Sequence, residues 1–70
     1  MSGQERREQL LKWMRGRPAA SIRAIFLATP SSLYCCIGTL QRDVYALRDE
    51  GRLRRQYTRG QAVRVVWEVA

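Results

Sequence analysis

Histidine is missing altogether from this 70-residue chain, and with it the commonest general base, pH switch and metal ligand. The two cysteines, Cys35 and Cys36, stand side by side, without the C-x-x-C spacing from which a zinc site grows. No metal and no cofactor are therefore expected. In a reducing compartment these thiols are expected as small, partly buried apolar residues, with a redox or intermolecular disulfide role as the alternative. A glycine-rich phosphate loop is also missing, and no carboxylate pair stands apart from a charged helical face. Nothing here supplies a nucleophile with its base, so an enzyme is not expected. No apolar run approaches the ~20 residues of a membrane span, and the opening MSGQERREQ lacks the apolar stretch of a signal peptide. The expectation is a soluble, cytoplasmic protein with no membrane contact.

Acidic residues are scarce as well. Six Asp and Glu stand against thirteen Lys and Arg, a net charge of +7, which draws a polyanion by long-range attraction. The excess sits at the two ends. Residues 1–20 hold Arg6, Arg7, Lys12, Arg15 and Arg17 against Glu5 and Glu8, and residues 51–70 hold five arginines against Glu68. All the cations but Lys12 are arginine, whose planar fork pairs bidentately with a phosphate or a guanine edge. Apolar residues make up 46% and charged residues 27%, enough to close a core, and the length allows one domain spanning 1–70.

The chain has two prolines, Pro18 and Pro30, and both read as breaks between helices. Ser2 and Glu5 have capping-box spacing, and Leu10, Leu11 and Met14 share a face, with Trp13 at its border, which predicts a first helix over 3–15. Ser21 is placed to cap a second, 21–28, with Ile22, Ile25 and Phe26 inward. Leu33, Ile37, Leu40, Val44 and Leu47 recur at helical spacing over 32–50, and Gly51 supplies the stop. Gly38 costs about 1 kcal/mol in a helix interior, so the start of this third helix stays open between Ser32 and a point near Ile37 or Thr39. Beyond Gly51 the period falls to two: Val63, Val65, Trp67 and Val69 alternate with charge. Thr58, Arg59, Gly60 and Gln61 read as a turn, predicting a hairpin over 53–69. Trp13, Trp67 and Tyr57 are expected in core and hairpin packing.

Two helices joined by a connection, the second longer and followed at once by an arginine-rich hairpin, predict an α+β fold: a three-helix winged helix-turn-helix with a C-terminal two-stranded β-hairpin wing. The segment TLQRDVYALRDEGRLRR, Thr39 to Arg55, resembles the recognition helix and first wing strand of DeoR-type winged-helix regulators. Ala28 to Gly38 departs from that family, being longer than its tight turn. What the resemblance implies is the fold and double-stranded DNA as partner; sugar-phosphate sensing is not carried over, and no small-molecule ligand is expected.

With Leu40, Val44 and Leu47 inward, the third helix offers Thr39, Gln41, Arg42 and Tyr45, with Arg42 suited to guanine and Gln41 to adenine. The bland alternative is a solvated face in which Arg42 pairs with Asp49 or Glu50. Asp43 would repel phosphate, so it is expected to orient an arginine of the first helix or of the wing. The hairpin adds Arg54, Arg55, Arg59 and Arg64, with Arg59 at the tip; charges on edge strands also prevent aggregation. Arg6, Arg7 and Arg15 are candidates for phosphate contacts or merely a solvated face. The resulting expectation is a small sequence-specific transcriptional regulator, phage-, plasmid- or operon-borne, for which a homodimer on paired half-sites would be natural although the sequence leaves the oligomeric state open. Two other readings compete: a winged-helix interaction module binding an acidic protein partner, and, ranked third, an RNA binder.

Overall fold

A computed structural model describes residues 2–58 and 64–70. Three helices, α1 (Gly3–Met14), α2 (Ile22–Ala28) and α3 (Ile37–Asp49), precede an antiparallel hairpin of β1 (Leu53–Thr58) and β2 (Arg64–Val69), an α+β architecture. Local chemistry sets most of the boundaries. The Ser2 hydroxyl accepts the Glu5 N–H and the Ser21 hydroxyl accepts the Ala24 N–H, each at 3.2 Å, satisfying amides that the first helical turn leaves without a partner. Gly51, at φ +76°, ends α3: its N–H reaches the Arg48 carbonyl while Arg52 N–H closes back on the Leu47 carbonyl at 2.9 Å.

The open boundary of the third helix resolves at Ile37. Residues 31–33 form a separate turn in which the Leu33 and Tyr34 N–H groups donate to the Pro30 carbonyl. Cys36 is the N-cap, in extended conformation, so Gly38 falls in the first turn, where the interior penalty does not apply. A helix from Ser32 is ruled out by Tyr34, which is buried at 2% exposure and forms part of the core. Ile37, expected on the inward stripe, is instead 42% exposed, and the buried face of α3 is Leu40, Asp43, Val44 and Leu47.

The core gathers Leu10, Leu11 and Met14 of α1, Ile25 of α2, Tyr34, the apolar stripe of α3, Leu53 and Trp67. Hairpin register pairs Leu53 with Val69, Arg55 with Trp67 and Tyr57 with Val65 on one face, since residues directly opposite share a side. Only the base of that face lies on the helices. Tyr57 is 59% exposed and Val65 39%, so neither has the packing role that alternation suggests. On its other edge β2 is joined by Ala20: the two backbone bonds between Ala20 and Trp67, at 2.8 and 3.1 Å, tie the α1–α2 link to the hairpin. Val63 and the turn residues Arg59, Gly60 and Gln61 lie outside the described residues.

Candidate nucleic-acid interface

The outer face of α3 is decided by one inward acid. Asp43 is 2% exposed although charged, and burial alone would push its carboxyl upward. The opposing contacts win. Arg6 of α1 binds it bidentately, Nε to Oδ2 at 2.6 Å and Nη2 to Oδ1 at 3.1 Å; the Tyr34 hydroxyl donates to Oδ2 at 2.8 Å, and Arg7 stands 3.9 Å away. The carboxyl is held below its ordinary value, the Arg6 guanidinium is raised by the Asp43 hydrogen bond, and burial together with the bond to Asp43 raises the Tyr34 phenol. Asp43 therefore does orient arginines of the first helix, two of them, and Arg6 and Arg7 are turned inward to an acid rather than presented to a ligand. Tyr34, the third partner, gave no sequence signal.

With Asp43 inside, α3 turns Gln41, Arg42 and Tyr45 outward together with the bare backbone of Gly38. Among the described residues Arg42 has no carboxylate or hydrogen-bond partner, so the expected alternative pairing with Asp49 or Glu50 is not made. Asp49 is taken by Arg48 at 3.2 Å, and Glu50 faces Arg7. Tyr45 is partly structural: its ring meets Trp67 edge-on at 5.7 Å, and the Arg48 guanidinium lies 5.0 Å above it. Thr39 departs from the expected set. It is half-buried at the flank of the first turn, with Oγ1 3.1 Å from Cys36 Sγ.

That contact also corrects the reading of the cysteines. Both are exposed. The Thr39 hydroxyl, then the backbone amides of Thr39 and Gly38, lower the Cys36 thiol from its ordinary value. Among the described residues no cluster of three metal-ligating side chains forms.

On the hairpin the arginines divide by face. Arg54 binds Glu68 through Nε and Nη2 at 2.9 and 2.6 Å, and Gln56 joins the same carboxylate, so Arg54 is neutralised where it stands. Arg55 points to the other face, that of α3 and Trp67, and lies 5.7 Å over the Tyr57 ring; it and Arg64 are exposed without a carboxylate partner among the described residues. Arg59, the expected tip contact, lies outside the described residues. Arg52 is bound bidentately by Glu8 of α1, which lowers the carboxyl and raises the guanidinium. Lys12, Arg15, Arg17 and Arg23 complete the cations with no acidic partner among the described residues, and Arg23, on the second residue of α2, was not singled out by sequence.

Among the described residues no helix is long and apolar enough to cross a membrane. Comparison with protein-family models, with curated proteins and with solved structures gave no significant match.

Proposed function

We propose that the chain is a winged helix-turn-helix domain, of the kind DeoR-type regulators carry, that binds double-stranded DNA sequence-specifically as a small transcriptional regulator. α2 and α3 are the helix pair, α3 enters the major groove, and the hairpin is the wing on the backbone or minor groove. One observation carries the reading: Asp43, the only acid in the first three turns of α3, is sunk against Arg6, Arg7 and Tyr34. Its inward turn leaves an outer face of Gln41, Arg42 and Tyr45 with no negative charge before Asp49, on a chain of net charge +7. A phosphate-lined groove repels a helix carrying an outward acid and attracts one carrying an unpaired arginine.

The division of labour follows from the pairing. Arg42 has a free fork for guanine N7 and O6, and Gln41 suits adenine. Arg55 and Arg64 supply phosphate contacts, which fix register without reading sequence, and Arg59 is assigned the same role from its place in the turn. Arg54, bound to Glu68, is a weaker candidate than its neighbour. The test is a titration with genomic DNA fragments at two salt concentrations, with sequencing of the bound pool. An enriched motif and strongly salt-dependent affinity are the expected result. Salt-dependent binding with no motif reduces the reading to non-specific binding, and no binding removes it. The interaction-module alternative would be favoured by an apolar exposed face carrying Tyr34, Phe26 or Trp13, and of these Tyr34 is buried and Trp13 and Phe26 are half-buried.

A further inference from the structure

We propose that the cavity between the end of α1, α2 and β2 is a binding site for a small aromatic carboxylate. Its volume is about 220 Å³. Trp13, Met14, Ile25 and Trp67 form its apolar lining, and α2 turns Ala24 and Ala28 toward it, one helical turn apart. The hollow exists because those two side chains are methyl groups; a leucine at either position would fill it. An apolar cavity of roughly 150 Å³ takes up benzene, so this one matches a bicyclic ring system of indole size.

The polar groups at the cavity define the other end of the ligand. Arg17 lies across Trp13, its guanidinium carbon 4.1 Å from the ring centroid, and its Nε donates to the Trp13 carbonyl at 3.0 Å. That bond anchors the side chain and leaves the terminal nitrogens with no carboxylate partner among the described residues. Glu68, the one acid in the lining, is already engaged by Arg54 and Gln56. An apolar, aromatic-walled hollow with one anchored, unneutralised guanidinium is complementary to a flat ring bearing a carboxylate, which an arginine fork binds through two parallel hydrogen bonds. The site does not depend on DNA binding, so neither result bears on the other.

Indole-3-carboxylate is the probe and uncharged indole its control, titrated into the intact chain by calorimetry while the two tryptophan indole N–H resonances are followed by NMR. Saturable one-to-one binding that shifts both resonances is expected, with the acid at least about tenfold tighter than indole, since even one of the two charge-assisted hydrogen bonds provides that much. Arg17→Gln should bring the two ligands to equal affinity. Ala24→Leu should abolish binding while circular dichroism stays unchanged. Absence of saturation, equal affinities in the unsubstituted chain, or indifference to Ala24→Leu in a folded variant would each overturn the site. Leu27 is 72% exposed on the same helix, which sets up a competing occupant. If sedimentation shows a dimer that Leu27→Glu dissociates and indole-3-carboxylate binds neither form, the hollow receives a second copy of this chain and the proposal fails.

Discussion

Replacing Asp43 by asparagine keeps the shape of the side chain and removes its charge, so it isolates what the inward acid contributes. In the native chain one carboxylate receives two hydrogen bonds from Arg6 and one from Tyr34. Asparagine retains the oxygen that accepts the phenol and Arg6 Nε but turns an amide toward Arg6 Nη2, leaving the guanidinium without a counter-charge. Breaking a buried ion pair by removing one partner costs about 3–5 kcal/mol. Here the arginine side chains remain 27% and 29% exposed and rehydrate in part, which places the loss near the lower end, about 3 kcal/mol. For a domain of this size that lowers the melting temperature by roughly 12–24 °C. Because the folded-state carboxyl is depressed, its stabilisation is complete above the ordinary carboxylate range and is lost as pH falls through the folded value. Urea unfolding from pH 7 down to pH 2 should therefore show a shallower acid limb in Asp43→Asn than in the native chain. Arg6→Met combined with Asp43→Asn should cost less than the sum of the single changes, since each removes the same contact. A loss below about 1 kcal/mol, or full additivity, would refute the network as the element that holds α1 to α3 and keeps the acid inward.

On the DNA side, Arg42→Ala should cost about 1–3 kcal/mol on the selected site and relax discrimination at one base pair, with the melt unchanged because the core stripe is untouched; binding-site selection with the variant checks it. Arg55→Ala should weaken specific and unrelated DNA by similar factors while Arg54→Ala changes affinity little, a contrast that equilibrium titration on both DNAs will read directly. If about four phosphates are neutralised, affinity should fall roughly 100-fold between ~50 and ~200 mM salt, and a flat salt response would contradict a phosphate-borne interaction.

Features of the chain whose causes are local were legible in the sequence. Ser2 and Ser21 cap the helices they precede, Gly51 ends the third, and the change of period marks the hairpin, because each signal acts within a few residues of itself. The start of α3 was not legible, since Leu33 and Ile37 continue the apolar spacing across a connection whose geometry, a turn at 31–33 bonded to the Pro30 carbonyl and a buried Tyr34 held by Asp43, is set only in the fold. The division between Arg54 and Arg55 needed the register: adjacent residues on a strand face opposite ways, and only the pairing with Glu68 tells which arginine is neutralised. Period two likewise identifies a face without saying how far the helices extend beneath it, and the packing that alternation predicts for Tyr57 and Val65 stops short of them.

The same distinction explains why the candidate interface was half visible. Arg42 and Gln41 could be placed outside α3 from the positions of Leu40, Val44 and Leu47 alone, because a helix carries its own geometry. The sign of the surrounding potential could not, because it depends on where six acids find partners in a chain with thirteen cations. Three of those partnerships, Glu8 with Arg52, Asp43 with Arg6 and Glu68 with Arg54, join residues 14 to 44 positions apart. Each withdraws an arginine from the solvent field; among the described residues Arg42 on α3 and Arg55 and Arg64 on the hairpin stay without an acidic partner, as do Lys12, Arg15, Arg17 and Arg23 elsewhere on the surface. A net charge of +7 is thus a poor guide to which arginines act: tertiary pairing, more than composition, decides which guanidinium groups remain to meet a polyanion.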